Sequence, residues 1–342
     1  MSEIAFSDAL ARLVASPVLD PGLVEAAFGA ILAGEWTPVQ VGAFAAAVRV
    51  RGETAPALAA AARALRARMT PVDHDLELVV DTCGTGGDGT RTINVSTAAA
   101  IVVAACGVPV AKHGNRSISS QCGSADVVEA LGIAIDHGPE RHAELLREIG
   151  ITFLFAPSHH PALRHAAQAR RELGVRTIFN ALGPIANPAR ATHQLVGVYD
   201  DALRPMLAQV LAELGCERAW VVRSEDGLDE ISPASPTRVT EVERGAVRER
   251  VVVPEDFGAE RTAVDELRGG DAKSNAQSIE TILEDPERPG GSAVLLNAAA
   301  TLLVAGRARS PRDAFSAARE AVASGRASGV LAAWRMASPF GA

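Results

Sequence analysis

Cysteine is scarce in this chain of 342 residues: Cys83, Cys106, Cys122 and Cys216 form no CxxC pair and have no spacing suited to a metal. Three of them lie among small or apolar residues, so reduced, packed thiols are expected. Aromatic residues are sparse as well, with three Trp, one Tyr and nine Phe, too few for a base-stacking platform. Basic residues are outnumbered. The 33 Lys and Arg face 41 Asp and Glu for a net charge of −8 at pH 7, the wrong sign for a general nucleic-acid coat. No apolar run reaches the roughly 18 residues a membrane span needs, and the opening MSEIAFSDALARLV lacks a basic stretch followed by an apolar one. A cytoplasmic protein with neither nucleic acid nor membrane as partner is expected. GxxxxGK[ST] and GxGxxG are both missing, which removes support for nucleoside triphosphate hydrolysis and for a Rossmann dinucleotide site. No Ser-His-Asp or Cys-His arrangement stands out, so no acid/base or nucleophile residue is assigned.

What the chain does carry is apolar periodicity. Hydrophobic residues make up 48% and charged residues 22%, a globular balance, and the length exceeds what one hydrophobic core usually fills. Up to about residue 70, apolar positions recur at helical spacing (Ala9, Leu10, Leu13, Val14; Val24, Ala27, Phe28, Ile31, Leu32) between Pro and Gly breaks. They are read as a bundle of short helices. The last, over 55–68, ends at Thr70-Pro71, because a residue before proline disfavours the helical region. Thereafter short apolar runs take over: LELVVD (76–81), VPVAKH (108–113), ITFLF (151–155), QLVGV (194–198) and AWVVRS (219–224). They alternate with helical stretches such as STAAAIVVAAC and PERHAELLREI. The expected fold class is α/β, a mostly parallel wound sheet flanked by helices, with a smaller N-terminal all-helical domain. The domains are placed at 1–71 and 72–342. TRVTEV and VRERVVVP, near 237–254, are expected to add antiparallel strands, and helices to return over 277–283, 292–304 and 312–323. The connection TIFNALGPIANP, after the helix PALRHAAQARRELG, is long for an αβ loop. It is placed at the domain junction, with about 160–190 contributing to the helical domain.

Three segments carry chemistry. In DTCGTGGDGTRTINVST, from Asp81 to Thr97, a strand runs through Gly84, Gly86, Gly87 and Gly89 into a helix. Glycines let backbone N–H groups close on a ligand, and Asn94, Ser96 and Thr97 sit where capping residues sit, at the positive end of the helix dipole. An anion is the natural guest. In AKHGNRSISSQCGSAD, from Ala111 to Asp126, Lys112, His113 and Arg116 supply cationic or polar donors. Gly114 and Asn115 supply a turn, and Ser117, Ser119 and Ser120 supply hydroxyls at a strand's carboxyl end. Open α/β sheets bind ligands at that edge. In SEDGLDEIS, adjacent Asp229 and Glu230 follow another apolar strand and suit Mg²⁺, which prefers hard oxygens and is commonly shared with substrate phosphates. His159, His160 and His165 lack a Cys or carboxylate to complete a zinc set and are read as structural.

With these motifs in hand, the sequence resembles the anthranilate phosphoribosyltransferases of tryptophan biosynthesis. The resemblance is carried by DTCGTGGDG, NVST, KHGNRSISSQCGSAD with VVEALG, RRELGVRTIFNALGPIANP, the Asp229-Glu230 pair and LLNAAATLLVAG, in the family's order from residue 81 to about 306. Pyrimidine nucleoside phosphorylases are similar in fold and share the glycine-loop idea, but their second loop reads differently. A non-catalytic relative that binds nucleic acid would need a basic face. What the resemblance implies is transfer of phosphoribose from phosphoribosyl pyrophosphate to the amine of anthranilate by a homodimer that uses Mg²⁺. It places phosphoribosyl pyrophosphate on Gly84, Gly87, Asp88, Thr92, Asn94, Val95, Ser96 and Thr97. The same ligand is placed on Lys112, His113, Gly114, Asn115, Arg116, Ser117, Ser119, Ser120 and Ser124. Anthranilate is placed against Gly84, Asn115 and Arg170, the last rather than adjacent Arg171. Magnesium is placed on Ser96, Asp229 and Glu230.

Overall fold

Proline opens three of the first four helices, each behind a polar cap. A computed structural model describes residues 4–87, 89–117 and 122–340. Helices α1 (Phe6–Ala15), α2 (Pro21–Ala33), α3 (Pro38–Arg51) and α4 (Ala55–Arg66) form the bundle. Asp20, Thr37 and Thr54 accept from Gly22 N, Gln40 N and Ala57 N at the starts of α2, α3 and α4. Prolines fit there because the first N–H groups of a helix have no partner within it. The bundle core is Leu23, Val24, Ala27, Phe28, Ile31, Phe44, Leu58 and Leu65, all 1% exposed or less.

The rest is strand and helix in alternation. The order is β1 (Val80–Gly84), α5 (Val95–Ala105), β2 (Val110–Gly114), α6 (Ser124–Ala130), α7 (Pro139–Glu148), β3 (Ile151–Phe155), α8 (Ala156–His159) and α9 (Arg164–Leu173). Then come β4 (His193–Gly197), α10 (Leu203–Glu213), β5 (Arg218–Ser224), β6 (Thr237–Glu243) and β7 (Ala246–Val252). Four helices close the chain: α11 (Ala272–Glu284), α12 (Gly291–Val304), α13 (Pro311–Ala323) and α14 (Arg326–Ala337). The seven strands make one sheet, β3-β2-β1-β4-β5-β6-β7, in which the first five are parallel and β6 and β7 antiparallel.

Side chains alternate across a strand, and here they feed two cores. Leu195 on β4 and Trp220 and Val222 on β5 face the layer of α5, α12, α13 and α14. Their neighbours Val196, Ala219 and Val221 join α10 and the N-terminal bundle in a second core. Helix α9 belongs with that bundle: it packs on α2 and α3, and Ala166 and Ala169 are buried there. Backbone bonds Thr70 N to His159 O (2.8 Å) and Val72 N to Pro188 O (3.0 Å) tie the chain down where it passes from bundle to sheet.

Some boundaries differ from expectation. The first strand begins at Val80 rather than Leu76, because pairing with both Val110 and His193 is available only from there. Leu76 and Leu78 are spent on packing instead. Helix α11 starts five residues before residue 277, capped by Asp271, whose side chain accepts from Ser274 N at 2.8 Å.

Candidate active site

Strand order reverses beside β1: the chain moves out to β2 and β3, then returns to place β4 on the other side of β1. Open α/β sheets bind ligands in the crevice above the carboxyl ends of strands at such a reversal. Gly84 and Gly197, the last residues of β1 and β4, are paired in register at this point. The acidic loop after β5 closes over them. A Cβ on Gly84 would lie 3.1 Å from Asp229 Oδ2, and one on Gly197 would collide with the Asp229 carbonyl oxygen. Asp229 and Glu230 are half-buried, so the acidic pair is built against the glycine loop rather than left in solvent.

The loop from Thr85 to Asn94 uses its glycines as expected: Gly86, Gly87 and Gly89 all have positive φ, at 64°, 75° and 82°. A side chain at these positions would be strained. Thr92 bridges to Arg268, and Asn94 stands before α5, its carbonyl accepting from Thr97 N (3.0 Å) and Ala98 N (3.1 Å). Val95 and Thr97 are buried in the first turn. Ser96 is half-buried there, with its carbonyl accepting from Thr82 Oγ1 at 3.0 Å. Asp88, Ser119 and Ser120, also expected in the site, lie outside the described residues.

Lys112 crosses beneath this turn. It is 2% exposed, and its Nζ donates to Ser96 Oγ at 3.1 Å and to the Thr82 carbonyl. Behind it the wholly buried Asp81 accepts from His113 N (3.0 Å) and from Asn187 Nδ2 (2.8 Å). Burial pushes the Asp81 carboxyl up and the Lys112 ammonium down, and each charge opposes the shift of the other. The three donors of the second loop therefore differ. His113 is neutral: burial pushes it down to about 3, and its Nδ1 donates to the Gly183 carbonyl at 3.0 Å. Arg116 is held by Asp126 (2.9 Å) and Glu129 (2.6 Å). The interior cation is Lys112 alone among these three.

Past Gly114, which ends β2, the Asn115 carbonyl accepts from Ser124 Oγ (3.3 Å) and Ala125 N (3.2 Å). Ser117 N donates to Asp126 Oδ2 at 3.3 Å. These contacts fold the KHGN turn onto the start of α6. Arg170 projects from α9, with its guanidinium 5.7 Å from the Phe179 ring centroid. Burial pushes it down, and it has no ion-pair or hydrogen-bond partner among the described residues, whereas Arg171 is exposed.

Several residues here escaped the sequence reading. Asn187 joins three segments, donating to Asp81 and to the Ala111 carbonyl (2.8 Å) and accepting from Ala189 N (2.8 Å). Arg176 lies over the Tyr199 ring, 3.4 Å from its centroid, and donates to the Gly86 (3.5 Å) and Gly87 carbonyls. Gly197 looked like an ordinary strand residue. Most of their partners lie more than 70 positions away along the chain, and Tyr199 and Asp229 more than 20, so no local motif marks them. Among the described residues no group of three or more His, Cys, Asp or Glu is arranged to hold a metal ion.

Comparison with known proteins agrees with this architecture. Residues 7–69 match the helical bundle domain of a glycosyl transferase family, and residues 76–328 match its a/b domain. Anthranilate phosphoribosyltransferase of Thermomicrobium roseum is 51% identical over 322 residues, 93% of this chain and 92% of that protein. The crystal structure of the Thermus thermophilus enzyme superposes with a TM-score of 0.91 at 40% identity, covering 96% of this chain and 99% of that one. The Saccharomyces cerevisiae enzyme in complex with PRPP and Mg gives a TM-score of 0.91 at 28% identity, covering 98% of both chains. A second structure of the yeast enzyme, in complex with 4-fluoroanthranilate, gives 0.88 at 27%, covering 97% and 98%. Sequence, domain pair and strand order lead to one assignment: the chain belongs to the anthranilate phosphoribosyltransferase family.

Proposed function

We propose that the crevice above β1, β2, β4 and β5 transfers the phosphoribosyl group of 5-phosphoribosyl 1-pyrophosphate to the amine of anthranilate, releasing pyrophosphate, as in tryptophan biosynthesis. This reading rests on two unlike recognition devices, one on the sheet and one on α9. A glycine loop at the N-terminus of α5, backed by Lys112, suits dense anionic charge. The half-buried Arg170, stacked near Phe179 and without an ion pair or hydrogen bond among the described residues, suits a planar carboxylate, which a guanidinium grips with two parallel hydrogen bonds. The yeast relative bound to PRPP and to 4-fluoroanthranilate supports both halves.

In the reaction the bond from ribose C1 to pyrophosphate breaks, the anthranilate nitrogen bonds to C1, and that nitrogen loses a proton to the released pyrophosphate or to solvent. Positive charge develops on the sugar and negative charge on the leaving group. The chain's task is to hold and orient both substrates while backbone amides, hydroxyls and Lys112 stabilise the anion. With a net charge of −8, the whole-protein field repels such a substrate, so these local donors matter more. No side chain is needed as nucleophile, and neutral His113 contributes no charge.

Ser96, Asp229 and Glu230 form a hard-oxygen set that fits Mg²⁺ shared with phosphates. Asp229 Oδ2 already stands against Gly84, and the Ser96 hydroxyl, with one lone pair taken by Lys112, keeps another. Bound there, Mg²⁺ would neutralise charge on the departing pyrophosphate. The decisive experiment mixes the protein with phosphoribosyl pyrophosphate, Mg²⁺ and anthranilate and follows anthranilate fluorescence. Loss that requires all three components is expected, and no loss would overturn the reading.

The domain division at about residue 72, with 160–190 returning to the bundle, is part of the same proposal, as is a homodimer. Four exposed valines, Val14, Val18, Val39 and Val50, lie in the first 50 residues and offer apolar surface for a second copy. A single monomeric species in sedimentation at micromolar concentration would refute the dimer. A cytoplasmic setting agrees with four free thiols.

A further inference from the structure

Asn275 sits in the first turn of α11, 2% exposed, far along the chain from every loop of the site. Its amide is fixed from both sides. The backbone N–H of Gly270 donates to Asn275 Oδ1 at 2.7 Å, so the amide nitrogen must face the other way, where Nδ2 donates to Asn94 Oδ1 at 3.0 Å. An amide NH₂ cannot accept, so one backbone N–H decides how Asn275 is turned. The same logic then passes to Asn94. The Cys122 thiol also lies 3.6 Å from that oxygen, although its single proton has the Gly123 carbonyl at 3.4 Å as an alternative acceptor. With the Asn275 NH₂ on its oxygen, Asn94 turns its own NH₂ away from α11, and no described residue accepts from it.

The rest of this corner is rigid. Residues 267–269 run against the end of the glycine loop: Ile93 N donates to Leu267 O and Gly269 N to Arg91 O, each at 2.8 Å. A Cβ on Gly269 would lie 2.5 Å from the Thr92 carbonyl oxygen, so only glycine lets the two segments approach this closely. The start of α11 is thereby fixed relative to Asn94.

We propose that Asn275 is a positioning residue for the anionic substrate: by holding Asn94 Oδ1 it forces the Asn94 amide to present its NH₂, never its oxygen, to the phosphoribosyl pyrophosphate in the crevice. This rests on the placement of that substrate at Asn94 given above. Asn275→Asp keeps the shape and the acceptor for Gly270 but replaces the donor with an acceptor, so Asn94 must turn over and aim its oxygen at the anion.

The test is a cycle of Asn94→Ala, Asn275→Asp and the double variant, read as separate KM values for the two substrates. Asn94→Ala should raise the KM for phosphoribosyl pyrophosphate. If it does not, the placement of substrate at Asn94 fails and the proposal with it. Given that rise, Asn275→Asp in the otherwise unchanged protein should raise the same KM roughly tenfold, the loss of a charge-assisted contact. The KM for anthranilate should stay where it was. In the Asn94→Ala background, Asn275→Asp should then change little. An equal factor in both backgrounds would mean that the new carboxylate acts on the substrate directly, and an equal rise in both KM values would mean general damage; either overturns the proposal. Asn275→Ala provides a second variant should the aspartate prevent folding: it frees Asn94 to rotate and should raise the same KM by a smaller factor. No change in that KM would equally overturn the role.

Discussion

Lys112 on β2 hands a hydrogen bond to Ser96 on the first turn of α5, Nζ to Oγ at 3.1 Å, and so joins the two loops that face the crevice. The ammonium is buried, and the charge that balances it is the equally buried Asp81 on β1. Lys112→Met should therefore do two things. It should leave Asp81 uncompensated, lowering stability by about 3 kcal/mol, read by urea denaturation. It should also abolish tight binding of phosphoribosyl pyrophosphate in calorimetry. Ser96→Ala, which leaves Lys112 its bond to Thr82, should weaken binding with little loss of stability. Equal stability losses in the two variants would refute this division of roles.

Arg170 and Arg171 separate by burial. Losing the half-buried guanidinium should cost about 1.5 to 3 kcal/mol of contact with a carboxylate, or roughly tenfold or more in anthranilate KM. Arg170→Ala should show that rise with little change for phosphoribosyl pyrophosphate, and Arg171→Ala should show neither. Identical behaviour of the two variants would remove Arg170 from the acceptor site.

Asp229 contributes by side chain and by position. Asp229→Ala should raise the Mg²⁺ concentration needed for half-maximal rate while the melting temperature stays nearly constant, since the loop backbone is unchanged. A magnesium titration that superimposes on the parent's would show the carboxylate to be an ordinary half-buried acid.

Gly197→Ala tests position alone. Its methyl group would meet the Asp229 carbonyl oxygen, so the acidic loop must move or the strand must bend, at a cost of about 1 to 3 kcal/mol. Activity and Mg²⁺ response should fall together, although Gly197 has no side chain with which to bind either substrate. Wild-type magnesium dependence in a stable Gly197→Ala protein would contradict the packing described.

Five histidines make ring contacts in two groups, the pair His113 and His160 (5.2 Å) and the trio in which His142 meets His159 (5.2 Å) and His137 (5.8 Å). Burial pushes all five down, His113 and His142 to about 3 and His160 to about 4. Because the unfolded chain binds protons near pH 6.5 and the folded one only at lower pH, stability is full above about 6.5 and falls as the pH drops. The slope is up to about 1.4 kcal/mol per pH unit for each such group. Urea midpoints should therefore drop between pH 7 and pH 5, and less steeply in His142→Gln. A flat profile over that range would show the rings to be accessible to protons in the folded state.

The sequence made the glycine loop legible because its signal is local: four glycines, a strand before and a helix after. Arg170 was singled out only through the motif around it, and the structure adds that it is half-buried where Arg171 is exposed. Asp81 was visible only as the end of an apolar run and the first letter of the glycine motif, with no role of its own, yet it organises Lys112, His113 and Asn187. Apart from the local bond from Ala189 N to Asn187, nothing within ten residues of Asn187 or Arg176 hints at what they touch, since their other partners are on other strands and loops. The first strand was placed four residues early for a related reason. An apolar run shows what can be buried, but pairing with β2 and β4 decides which part of it becomes sheet.

Helix α9 packs in the core of the bundle while the glycine loop grows from the sheet. On the site proposed above, the cation for one substrate and the cradle for the other would ride on different bodies, and a reacting pair would span the seam between them. Any effect of one substrate on the affinity of the other would then have to be returned by the same factor, so binding of each measured with and without the other would read the coupling across the seam.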